Sequence, residues 1–152
     1  MTPASLAILT RTLAAPTSEA RRLRSYRDTT GNITVGVGHN ITAHGITITD
    51  ELCDRLLADD IARVVDTLAL VLGWVADLDE VRQRVIYEMA FNLGVKGLLG
   101  FHATLTCVRA GLYPEAARHM LDSLWADQVG KHPGQRAYRL AEAMRTGIER
   151  IV

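Results

Sequence analysis

The chain has 152 residues, 48% hydrophobic and 22% charged, a balance that fits one ordinary folded domain with its own core and excludes a disordered chain. Seventeen basic residues match seventeen acidic ones, so there is no basic excess of the kind that marks a nucleic-acid binder, and no nucleic-acid partner is expected. The longest apolar stretch, around Leu68 to Val75, is too short to span a bilayer, and no membrane anchor is expected.

In chain order, residues 1–9 are apolar but lack a basic leader and run into Arg11, which reads as a short helix rather than a signal peptide. Helical spacing continues over 3–15 and stops at Pro16. From 26 to 48 the period changes. Thr29-Thr30-Gly31-Asn32 is turn chemistry, after which Ile33, Val35 and Val37 alternate with Thr34, Gly36 and Gly38. The apolar set is expected to face the core. The nearly bare Thr34–Gly36–Gly38 face would let a sugar approach the backbone. Ile46-Thr47-Ile48 reads as a second short β stretch.

Thr49 suits the N-cap of a long helix from Asp50, with Leu52, Leu56, Ile61, Val64, Val65, Leu68 and Val71 as its apolar positions. Gly73 can end it. Further helical runs are expected over about 79–93, ended by Gly94, then 103–110, 114–124 with Pro114 at its start, and 135–145. Cys53 and Cys107 each read as a small buried hydrophobe, with a single bridge between them left open. No repeat or interdomain linker interrupts the chain. The expectation is an α+β architecture: a small β-lobe over about 19–60 and a larger helical lobe over 1–15 plus 61–152. A long helix joins them, with a cleft between.

Glycoside hydrolysis usually needs two carboxyl groups, one protonated beside the leaving oxygen and one ionised. Glu19 and Asp28 qualify by position, since both fall where the chain changes architecture. Taken singly, either also fits an ordinary surface or capping role. A metal reading of His39 with His44 lacks further ligands, so no metal site is expected, nor is a cofactor.

Jointly, Glu19, Asp28, Thr34 and His39, with the run Tyr26-Arg27-Asp28-Thr29-Thr30-Gly31-Asn32-Ile33-Thr34-Val35-Gly36-Val37-Gly38-His39, closely resemble the phage lysozymes of the T-even type. The similarity continues through Phe91-Asn92-Leu93-Gly94, Gly97-Leu98-Leu99-Gly100-Phe101, Glu115-Ala116-Ala117, Trp125, Gln128 and Arg145-Thr146-Gly147. It implies a lysozyme-like fold and a muramidase. Glu19 would be the general acid and Asp28 the base, with Thr34 helping to hold the attacking water and inversion at the anomeric carbon. The resemblance further implies a structural His39–Asp60 ion pair. It also implies substrate contacts from Phe91 (cleft wall, or else core packing), Thr104, Asn40 and His119, the last two differing in type from the family. Trp125, Phe101 and Tyr87 are expected in the core.

Two features depart from the family. Pro16 should break the first helix one turn before Glu19, with Thr17 or Ser18 capping a second turn. The loop 129–134 is longer, and Arg136, ahead of Arg139, is expected to replace the arginine that contacts the catalytic Glu. The expected partner is bacterial peptidoglycan, attacked by a monomer. With no signal sequence, the chain is expected to be made in the host cytoplasm and released to the periplasmic side through a holin-type hole. A module of a larger virion or secreted protein is the other setting. The competing functions are a lytic transglycosylase, which needs no water-positioning base, and a non-catalytic peptidoglycan-binding domain.

Overall fold

The computed structural model describes residues 3–13 and 22–148, which fall into two compact units, Met1–Asp50 and Glu51–Val152. The architecture is α+β: eight helices and one small antiparallel sheet among the described residues. No helix among them is long and apolar enough to cross a membrane.

In the first unit, helix α1 spans Pro3–Leu13. The sheet has strands β1 (Arg22–Arg27), β2 (Ile33–Gly36) and β3 (His39–Asn40), in that order and antiparallel throughout. Strand β1 carries no apolar alternation that sequence could show. Its Arg and Ser residues are exposed, and its pairing with β2 is broken by an irregularity between Arg22 and Tyr26. A short helix α2, Ile41–His44, follows β3 directly, its first turn capped by the Asn40 side chain accepting from Ala43 N at 2.9 Å.

Two β expectations are corrected here. The stretch Ile46-Thr47-Ile48 takes no regular structure. Both isoleucines are exposed, and strand pairing ends where α2 turns the chain away after two residues of β3. The expected facing of β2 also fails at its start, while Val35 and Val37 are half-buried and Gly38 is exposed. Thr34 is 3% exposed while Ile33 is 41% exposed. Thr34 lies mid-sheet with a residue opposite it on each side, Tyr26 and Asn40, whereas Ile33 opposes only the exposed Arg27 at the strand's start.

In the second unit, the long helix α3 is Asp50–Val71, followed by a 3-10 turn Gly73–Asp77. Only Leu68 of α3 is fully buried, and Leu52, Leu56, Leu57 and Ile61 are exposed. Helix α4, Glu80–Leu99, starts under an Asp79 cap that accepts from Arg82 N. The Arg82 guanidinium returns to Asp79 at 2.6 Å, donates to Met144 O at 2.8 Å and covers the Tyr113 ring at 3.6 Å. One side chain thus ties the start of α4 to the end of the last helix.

Helices α5 (His102–Arg109), α6 (Tyr113–Leu121), α7 (Leu124–Val129) and α8 (Arg136–Thr146) complete the unit. The single run expected over 114–124 is split, because the Ser123 hydroxyl caps a new helix by accepting from Ala126 N. The core joins Ile86 and Met89 of α4 to Val108, Met120, Trp125, Leu140 and Met144. Both cysteines are free. Cys53 is exposed on α3, against expectation, for it sits on the part of that helix with no buried side chain; Cys107 is half-buried against the core.

Gly94 interrupts α4 rather than ending it. Its φ of 71° and ψ of 153° lie where only glycine is at ease. A Cβ there would meet nothing within 4 Å, so the cost of a side chain is backbone strain alone. Gly94→Ala is expected to destabilise the protein by about 1–3 kcal/mol, read as a fall in Cm in urea unfolding. An unchanged Cm would mean that the kink relaxes freely.

Candidate active site

Asp28 closes the turn between β1 and β2, and its carboxylate is the hub of that turn. Oδ1 accepts from Thr30 N at 2.9 Å, Thr30 Oγ1 at 2.8 Å and Asn32 N at 2.8 Å. Oδ2 accepts more loosely from Asn32 Nδ2 at 3.3 Å and Thr34 Oγ1 at 3.4 Å. The backbone closes around it, with Asp28 N donating to Asn32 O and Gly31, at φ 87°, donating to Asp28 O. These donors favour the ionised form. The Thr30 hydroxyl does most to hold the Asp28 carboxyl below its ordinary value, partial burial opposes it, and the Asn32 bonds assist. The result is a carboxylate fixed in orientation, kept charged, and touching the buried Thr34.

Asn40 stands directly opposite Thr34 in the sheet. Its side-chain oxygen is committed to capping α2, which leaves its NH2 group as the donor. A side chain built on Gly36 would meet nothing within 4 Å. His39 Nε2 donates to Gly45 O at 2.8 Å, and Asp60 pairs with Arg63 one turn along α3. Glu19 lies outside the described residues, as do Pro16, Thr17 and Ser18.

In the second unit, Phe91 is 45% exposed. It lines a hollow of about 390 Å³ with Leu57, Ile61, Val64, Tyr87 and Glu88, the position of a wall rather than of a core aromatic. A second hollow, of about 480 Å³, is lined by Thr104, His119, Phe101, Trp125 and Gln128. Thr104 is almost fully buried there, and His119 Nε2 lies 3.4 Å from an Arg118 nitrogen. Trp125 is core, as expected. Its indole N–H donates to Asn92 Oδ1 at 2.7 Å, and Phe101 meets its ring edge-on at 6.0 Å. No group of three or more His, Cys, Asp or Glu able to hold a metal ion occurs among the described residues.

Arg136 has a partner that sequence did not foresee. Its Nε lies 3.5 Å from Glu88 Oε1, and Arg139 Nη2 donates to the same oxygen at 2.5 Å. Thr30 and Asn32 were missed as well. Their signal was in the sequence, since Asp28-x-Thr30-x-Asn32 is the spacing at which an Asp side chain reaches backbone N–H groups two and four residues on. Glu88 had a fainter one, standing three residues before Phe91 and so on the same helix face.

Residues 16–142 match the sequence profile of the phage lysozyme family. The chain is 25% identical to a probable T4-type lysozyme 1 of Dictyostelium discoideum, over 85% of this chain and 89% of that protein. It is 31% identical to the endolysin of Salmonella phage P22, over 76% of this chain and 79% of that one. It is also 30% identical to the pre-baseplate central spike protein Gp5 of Enterobacteria phage T4, over 85% of this chain but 26% of that longer protein.

Proposed function

The chain belongs to the phage lysozyme family, a lysozyme-type peptidoglycan hydrolase, and from that premise we propose that it cleaves the β-1,4 bond between N-acetylmuramic acid and N-acetylglucosamine. Glu19 gives its proton to the glycosidic oxygen as the C1–O bond breaks. Asp28 takes a proton from a water that Thr34 helps to hold, and that water attacks C1 from the opposite face. The product has a reducing N-acetylmuramic end of inverted configuration. The observation that carries this reading is the Asp28–Thr34 pair. An ionised carboxylate and a hydroxyl 3.4 Å apart, inside the family-matched region, make a pair that can share one water.

In the same proposal Phe91, Thr104, His119 and Asn40 contact the glycan. The protein acts as a monomer without a cofactor, and reaches the wall through a holin-type opening.

The test is mass spectrometry of the products released from purified sacculi. Muropeptides with reducing N-acetylmuramic ends are expected. Anhydro ends would assign a transglycosylase. Sacculus binding without release, by a folded protein, would assign a binding domain.

A further inference from the structure

We infer that the hollow beside the start of β1 is a subsite for the peptide stem of the wall, in which Arg22 takes a stem carboxylate. The inference rests on the peptidoglycan-hydrolase reading above and names a further contact with that substrate. The hollow, of about 570 Å³, is lined by residues of the first unit alone. Its ionisable side chains are those of Arg22, His39 and His44, and no acidic residue lines it. Neither of the acidic residues described in this unit cancels the charge there. Asp28 stands at the far end of β1 with both oxygens engaged in its own turn, and Asp50, which opens α3, is not part of the wall.

Arg22 is held ready for an anion. Its guanidinium carbon lies 4.2 Å over the Tyr26 ring. That stack uses a face of the guanidinium and leaves its N–H edges, which meet no hydrogen-bond or ion-pair partner among the described residues. An edge with two parallel N–H groups matches a carboxylate bidentately. The His44 ring meets that of His39 at 6.3 Å, and His39 spends only Nε2, on Gly45 O at 2.8 Å. Imidazole nitrogens in this wall therefore remain open to a ligand. The exposed Leu23 and Ile46 flank the cation with apolar surface that the methyl groups of a stem can cover.

The hollow is also well placed. Arg22 pairs with Gly36 and Tyr26 with Thr34, so Arg22 and Tyr26 share the sheet face of Thr34. Gly36 is two strand residues from Thr34, about 7 Å, and a Cβ built on it would meet nothing within 4 Å. A glycan cut at Asp28 and Thr34 thus has its peptide within reach of the hollow.

The test is binding of the full chain, carrying Asp28→Asn to slow digestion, to purified sacculi freed of attached phosphate polymers. Co-sedimentation gives Kd for this protein and for the same protein with Arg22→Gln, Arg22→Lys or Arg24→Gln, on sacculi with free and with amidated stem carboxyls. Thermal unfolding of each accompanies it. Arg24 lies on the same strand outside the hollow, so Arg24→Gln makes the same change in charge. On free carboxyls Arg22→Gln is expected to raise Kd about tenfold or more, Arg22→Lys less, and Arg24→Gln by no more than about twofold. On amidated sacculi the Arg22 effect is expected to vanish. An unchanged Kd in Arg22→Gln, an equal loss in Arg24→Gln, a loss that persists on amidated sacculi, or one matching only the unfolded fraction would each overturn the inference. So would the absence of saturable binding. The muramidase reading fails separately, by a wild-type protein that binds sacculi but releases no reducing muropeptides.

Discussion

Glu19→Gln is expected to abolish muropeptide release while the protein stays folded. The amide is nearly isosteric with the acid but has no proton to give to the glycosidic oxygen. Proton donation by a placed acid contributes about 10²–10⁴-fold, or roughly 3–5 kcal/mol of barrier. To do this near neutral pH Glu19 must hold its proton, which calls for partial desolvation. Turnover on sacculi and thermal unfolding of wild type and variant, measured together, decide the matter. A variant with wild-type Tm and retained turnover would remove Glu19 from the mechanism, whereas a collapsed Tm would leave the loss attributable to the fold.

The helices were legible because their signals are local. Pro114 sits in a first turn and Gly94 falls where the long run breaks, whereas the Ser123 cap that splits the run over 114–124 was not read. The apolar period of α4 and α8 predicts the faces that meet in the core. The β region was legible only in part. Strand β1 is written in arginine, serine, one exposed leucine and a lone half-buried tyrosine, so period-two reading has little to grip. Ile46 and Ile48 alternate without a strand to pair with. The inward turn of Thr34 follows from cross-strand neighbours that no local pattern announces.

In the candidate site, Asp28 and Thr34 were found by spacing that resembles the family, and the structure brings them together. The Glu88–Arg136–Arg139 cluster bridges residues 51 positions apart. Contacts at that separation are set by packing of α4 against α8, and sequence periodicity carries no record of them.

Asp28→Asn is expected to lower turnover on sacculi by about 100-fold or more with only a small fall in Tm. The asparagine oxygen can take over the bonds from Thr30 N, Thr30 Oγ1 and Asn32 N that close the turn. The new NH2 group would replace Oδ2 and face the Asn32 amide donor, so that weaker bond is lost, while the Thr34 hydroxyl can rotate to accept instead. What disappears is the negative charge that takes the proton from water. Asp28→Ala would also remove the turn closure, so its Tm should fall further than that of the asparagine variant.

The pH dependence has a definite sign. The Asp28 carboxyl is held below its ordinary value, most strongly by the Thr30 hydroxyl. It therefore stays ionised as pH falls into the ordinary Asp range near 3.9, and the acidic limb of kcat/KM should lie below about pH 4. For stability, a carboxyl lowered by folding contributes fully above its unfolded pKa and loses that contribution as pH falls through its folded one. The Tm gap between wild type and Asp28→Asn should therefore narrow on acidification from about pH 5. Thr30→Val removes the largest of the lowering contacts, so its acidic limb should move to higher pH with turnover near neutrality retained. An unmoved limb in Thr30→Val would mean that the ionisation of Asp28 does not set the acidic side of the profile, and its role as the base would fall with it.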